Sequence, residues 1–211
     1  MKGLILSSFY TTKKSLYTYL VVAIFASIAF SFVNPTMACF LPMIFLISPV
    51  TDNIKHEKDS KWMYYISTLP SGRKAYVNGY FAFYGMLIFI GLILGTVSVS
   101  LVTQDLAMTV TAILVGIGGA GTYAMMFPLT FKFGPENSNV ILITTSIIVI
   151  ALFFIVFYGV IFTNLGSSVS SLDASSMGLT FIFVGIYAVV GLLFLTISYI
   201  ASMRIFSKQE L

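Results

Sequence analysis

Catalysis needs reactive groups that converge, and this sequence offers few of them. It holds one histidine, His56, and one cysteine, Cys39, in 211 residues. An intramembrane serine protease would need a G-x-S-G element with a histidine in a later apolar segment. A glutamate-type peptidase would need acids and histidines inside such segments. Neither arrangement occurs. Cys39 lies in an apolar run, and a single cysteine excludes both an intramolecular disulfide and a thiolate metal cluster. His56 has no second histidine to work with and reads as a surface residue of a polar connection. No G-x-x-x-x-G-K-[ST] loop is present to cradle a nucleotide phosphate, so the chain is not expected to hydrolyse ATP or to bind a cofactor or metal itself.

What remains is a concentration of charge. The stretch HEKDSKWMYYISTLPSGRK, residues 56–74, gathers Glu57, Lys58, Asp59, Lys61, Arg73 and Lys74 in a chain that is only 9% charged. A helix over 59–69 would line up Trp62, Tyr65, Ile66 and Leu69 at i, i+3, i+4 and i+7 as one apolar stripe. Asp59 or Ser60 would cap its first N–H groups, where acids also suit the positive end of the helix dipole. Pro70 would stop it, and SGRK would turn the chain onward. Such a helix lies at a membrane surface with Trp62 and Tyr65 in the headgroup layer. It can serve as a lipid anchor or as a protein-docking surface. A lipid anchor favours lysines and arginines alone, whereas Glu57 and Asp59 beside Lys58 and Lys61 suit a complementary protein face.

The elements that position this segment are membrane spans. The chain is 58% hydrophobic and 16% aromatic, whereas a soluble domain carries about a quarter charged residues. Runs such as VILITTSIIVIALFFIVFYGVIF at 140–162 exceed the roughly 20 residues that cross a bilayer as a helix. Six spans are predicted, at about 17–33, 36–51, 76–102, 107–131, 139–163 and 177–203. The connections after the first, third and fifth hold no lysine or arginine. Lys2, Lys13, Lys14, Lys55, Lys58, Lys61, Arg73, Lys74, Lys132, Arg204 and Lys208 all fall on the other side. The positive-inside rule then places both termini in the cytoplasm of a multi-pass cell-membrane protein. No removable signal peptide is expected at the start.

The predicted fold class is therefore all-α. It is a single transmembrane domain over 1–211, with six membrane helices and a cytoplasmic amphipathic helix in segment 52–75 between spans two and three. A further amphipathic helix is predicted over MKGLILSSFYTTKK, at 1–14, as a lipid anchor. The net charge of +4 accompanies apolar runs, which points to anionic lipid headgroups rather than nucleic acid. The spans carry no acid, arginine or histidine, which argues against a proton-relay carrier. The small residues of GIGGAG, 116–121, read as a surface for close helix approach rather than a ligand-binding loop.

Three segments resemble the small permease subunits of type-2 ATP-binding-cassette (ABC) exporters, including those of phenol-soluble modulin exporters. They are MKGLILSSFYTTKKSL at the start, EKDSKWMYYISTLPSGRKAYVNGYF at 57–81 and FPLTFKFGPENSN at 127–139. In that family an acid, a serine before tryptophan, a tyrosine, a leucine-proline pair and a basic residue recur after the second span. Glu57, Ser60, Trp62, Tyr65, Leu69, Pro70 and Arg73 match those positions here, with Asp59 beside them. SGRK replaces the commoner serine-arginine pair, and GPENSN is poorer in basic residues than the family pattern.

The resemblance implies that segment 52–75 is a coupling helix docked on a separate cytoplasmic ABC ATPase, which binds ATP with magnesium. It further implies two permease chains, a second copy or a paralogue, around one path for hydrophobic or amphipathic cargo, expected to be peptides, moving outward. The 20 phenylalanines and 10 methionines are compatible with an apolar path, since methionine adapts to varied partners, but a lipid-facing surface gives the same composition, and it is the resemblance that points to amphipathic peptides. The alternative is the vitamin-binding membrane subunit of an energy-coupling uptake transporter. It would need an outward ligand pocket, yet the outer connections offer only Asp105 and Asp173 as charges.

Overall fold

The computed structural model describes residues 2–68, 72–165 and 174–208, and these are helical with short turns between. The helices are α1 (Lys2–Val33), α2 (Phe40–Asp59), α3 (Trp62–Ser67), α4 (Gly72–Thr103), α5 (Leu106–Tyr123), α6 (Met126–Phe133), α7 (Ser138–Leu165) and α8 (Ala174–Lys208). Short 3₁₀ turns at Pro35–Met37 and Pro135–Asn137 lead into α2 and α7. Among the described residues, six segments are long and apolar enough to cross a membrane: Leu6–Val33, Pro35–Ile54, Gly72–Thr103, Leu106–Phe133, Ser138–Ile155 and Phe181–Lys208. The predicted all-α, six-span fold is therefore observed.

Three boundaries differ from expectation for identifiable reasons. The amphipathic opening segment is not a separate helix: α1 runs unbroken from Lys2 to Val33, with no proline or glycine between Leu4 and Val33 to interrupt it. The second span continues as helix to Asp59, so Glu57 belongs to α2 rather than to a loop. The fourth span is two helices, because Pro128 cannot donate to the carbonyl of Ala124 and its ring crowds that carbonyl. The chain tightens there into three-residue bonds, from Met125 N–H to Thr122 O at 3.2 Å and from Phe127 N–H to Ala124 O at 3.1 Å.

Burial separates the helices into a centre and a rim. The second and fourth spans are 67% and 72% buried, and the other four are below 30%. The rim helices point Phe25, Phe89, Ile147 and Leu193 outward, an apolar exterior suited to lipid. The GIGGAG stretch lies wholly in α5 and is a packing surface, as expected. A Cβ on Gly119 would strike the Phe40 ring, and one on Gly121 would strike the backbone of Gly191. Asp105 caps α5 by accepting from Ala107 N–H at 2.8 Å.

Cys39 sits at the turn into α2, fully buried beside Ala38, Val99 and Ala112. A Cβ on Gly95 would come within 2.6 Å of its Cα and Sγ, so two backbones meet where the thiol packs. Cys39→Ala is expected to cost about 1 kcal/mol or less, because the change in volume is small. Cys39→Leu should overpack the site by about 1–3 kcal/mol. Thermal unfolding of the two variants in detergent checks the order, and equal melting temperatures would contradict this packing.

Candidate functional site

The charged segment is built on the last two turns of α2. Asn53 and Glu57 stand at i and i+4, so their side chains share one face. Asn53 Nδ2 donates to Glu57 Oε1 at 3.1 Å and to the Tyr80 hydroxyl of α4 at 2.7 Å. Tyr76 and Tyr80 are likewise one helical turn apart, and both point inward from the start of α4. Their rings meet edge to face at 4.9 Å, and Tyr76 stacks on Phe206 of α8 at 5.1 Å. Glu57 is thereby enclosed and is only 6% exposed. Asn53 Oδ1, Glu57 Oε2 and the Tyr76 hydroxyl are buried without a hydrogen-bond partner.

Burial pushes the Glu57 carboxyl above its ordinary range, because the ionised form loses its water. The polar groups of Tyr80, Tyr76 and Asn53 oppose that rise, although the Tyr76 hydroxyl is not in bonding geometry with any of them. On the outer side of Glu57 an open cavity of about 570 Å³ is lined by Ser7 and Thr11 of α1, His56, Glu57 and Ser60 of the α2 end, and Trp62 of α3. On its inner side a narrow crevice runs between Ser8, Tyr76, Gly79 and Tyr80.

Beyond Asp59 the chain turns sharply. The Ser60 hydroxyl donates back to Glu57 O at 3.2 Å, and Lys61 adopts the left-handed conformation with φ of 58°. That conformation ends one helix and starts another in a single residue, at a cost for a residue with a Cβ. α3 follows with only six residues, and its cap is Lys61 without a side-chain hydrogen bond. The predicted caps, Asp59 and Ser60, are thus absent from this role, because α2 runs on to Asp59 and Ser60 lies in the turn before Lys61.

The predicted stripe divides. Ile66 is 2% exposed and anchors α3 to the body, whereas Tyr65 is 59% exposed. Trp62 is half-buried and stacks against Tyr65, with centroids 5.5 Å apart and planes at 26°. Asp59, Ser60 and Lys61 are exposed around the bend. Leu69 and Pro70 lie outside the described residues. Arg73 stands apart from this group, since its Nη1 donates to Ser207 O at 2.9 Å and ties the start of α4 to the end of α8.

The site is therefore an outward face made of Asp59, Ser60, Lys61 and Tyr65 over a buried polar knot made of Asn53, Glu57, Tyr76 and Tyr80. Sequence reasoning missed Asn53, Tyr76 and Tyr80. The four-residue spacing of Asn53 from Glu57, and of Tyr76 from Tyr80, was the available signal. Among the described residues no three of His, Cys, Asp and Glu gather to hold a metal ion.

The family model described as ABC-2 family transporter protein matches residues 3–207. Comparison with curated proteins and with solved structures gives no match.

Proposed function

The chain belongs to the ABC-2 transporter family over almost its whole length, and from that premise we propose that α3 and the bend before it are the joint through which a separate ATPase subunit moves this membrane subunit. A multi-pass subunit of an ABC transporter needs such a joint wherever the ATPase is another polypeptide. The observation that carries the reading is the division of α3. Ile66 fixes it to the bundle, while Tyr65 stands outward among Asp59, Ser60 and Lys61. An exposed aromatic ringed by charges of both signs matches the make-up of protein-docking patches.

The elements behind α3 are wired to carry its displacement. α4 is tied to α8 by Arg73 to Ser207 O and by the Tyr199 hydroxyl donating to Asn78 Oδ1 at 2.6 Å. It is tied to α5 by the Tyr84 hydroxyl donating to Ala120 O at 2.6 Å. In this reading a push on α3 passes to α4 and from it to the central span and its glycine-packed partner α8. In this reading both termini and α3 face the cytoplasm, the ATPase holds ATP and magnesium, and two permease chains enclose the path. The cargo is hydrophobic or amphipathic, with amphipathic peptides moved outward as the class suggested by the resemblance to modulin exporters.

The test is co-purification from membranes solubilised in mild detergent. Wild type is expected to bring down a nucleotide-binding ATPase, and the Asp59→Ala, Tyr65→Ala double variant to lose it while remaining monodisperse. Failure of the wild type to retain any ATPase would overturn the coupling reading.

A further inference from the structure

The buried end of Glu57 has a chemistry that mechanical coupling does not use. The carboxyl has one oxygen satisfied by Asn53 and one, Oε2, with no partner. The amide that bonds it also has an unpartnered oxygen, Asn53 Oδ1. An ionised carboxylate and an amide oxygen are both acceptors only, so two adjacent groups lack donors. A proton on Oε2 changes that inventory. The carboxylic acid becomes a donor, and Asn53 Oδ1 belongs to the residue already joined to it through Nδ2.

The groups facing Glu57 from its neighbours supply no compensating charge among the described residues. α1 presents Ser7, Ser8 and Thr11, α4 presents the phenols of Tyr76 and Tyr80, and α3 presents the indole of Trp62. Within α2 the described neighbours are Asn53 and His56, and the His56 imidazole is exposed on the cavity side. An anion enclosed this way without a paired cation is strongly disfavoured. The open cavity next to it, lined by hydroxyls and His56, offers the ionised group water.

We propose that Glu57 is a proton-binding site with two positions: as the neutral acid it stays inward against Asn53 and Tyr80, and once it releases its proton to water it swings into the cavity beneath Trp62. Glu57 lies four residues before the left-handed Lys61, and its backbone carbonyl accepts from Ser60, so the site adjoins the bend that carries α3. The sign follows from burial. The inward position is fully present at low pH and is lost as pH rises beyond the ordinary carboxylate range through the raised value for Glu57. The titration stands whether or not α3 docks an ATPase; only its effect on transport rests on the coupling reading.

Trp62 is the one tryptophan in the chain and lines the cavity, so its fluorescence reports this site alone. In full-length protein reconstituted in lipid nanodiscs, wild type is expected to show a pH-dependent shift in Trp62 emission centred above the ordinary carboxylate range. Glu57→Gln, a neutral isostere, should abolish the shift, and His56→Gln should retain it. Infrared spectra of wild type just below that midpoint should show a protonated-carboxyl stretch that disappears above it. A shift that survives Glu57→Gln and vanishes in His56→Gln would assign the titration to the histidine and overturn the proposal. So would a midpoint in the ordinary carboxylate range or the absence of any shift. If Glu57→Gln does not fold, the infrared band of wild type decides, and its absence overturns the proposal.

Discussion

Gly191→Ala is expected to lower the apparent melting temperature by about 6–12 °C. The added Cβ would stand 2.5 Å from the Gly118 carbonyl oxygen and 2.6 Å from its Cα. Both are backbone atoms of α5, so no side-chain rotation relieves the contact, and α5 and α8 must separate. Overpacking that moves backbone costs about 3 kcal/mol, the upper end of the usual range, and in a chain of this size each kcal/mol shifts melting by about 2–4 °C. Gly121→Ala should behave alike, since its Cβ meets the Gly191 carbonyl from the other side. Gly85→Ala and Gly185→Ala are the controls. Each has nothing within 4 Å of the added carbon, so the gain in helix propensity should raise stability by about 0.5–1 kcal/mol. Melting in detergent, followed by scattering and by the monodisperse fraction, compares the four. If Gly191→Ala melts with Gly185→Ala, the α5–α8 contact is misplaced.

This contrast shows what a sequence can and cannot reveal about such a fold. GIGGAG was readable as a packing face because small residues clustered in an apolar run have few other uses. Gly191, its partner 70 positions later, was not readable, because a lone glycine in a long apolar span carries no sign of what it touches. The six spans were legible because length and the lack of charge alone define them. The break at Ala124 and Met125 was marked by Pro128, but the surrounding hydropathy is continuous and hides it.

At the candidate site the same division holds. Local signals placed a short helix near Trp62 and gave it an apolar side. They did not show that α2 would run on to Asp59, which moves Glu57 from the leading end of one helix to the trailing end of another. Nor did they show that two tyrosines from α4 would close over it. Burial of an acid is a tertiary property, decided here by Tyr76 and Tyr80 about twenty residues downstream. Spans free of acids argued against proton chemistry within the membrane, and that inference does not extend to a carboxyl enclosed just beyond a span's end.

If α3 is the joint proposed above, truncating Tyr65 to alanine is expected to weaken ATPase binding about thirtyfold with the membrane subunit as stable as wild type. Tyr65 is the exposed aromatic of the outward face, and aromatic anchors at the centre of docking patches contribute about 2 kcal/mol on truncation, which is about thirtyfold in affinity. Its stacking on Trp62 is near the surface, so its loss should change stability by about 0.5 kcal/mol or less. Ile66→Ala provides the opposite pattern. That side chain is buried under α3, and removing it should cost about 2–5 kcal/mol of local stability, visible as faster amide exchange across α3. Both variants would reduce ATP-driven transport, but for different reasons: Tyr65→Ala by losing the contact, Ile66→Ala by loosening the lever. Binding titrations with the purified ATPase, read beside hydrogen exchange, separate them. If Tyr65→Ala binds as tightly as wild type while exchange in α3 is unchanged, the docking face lies elsewhere on this end of the bundle.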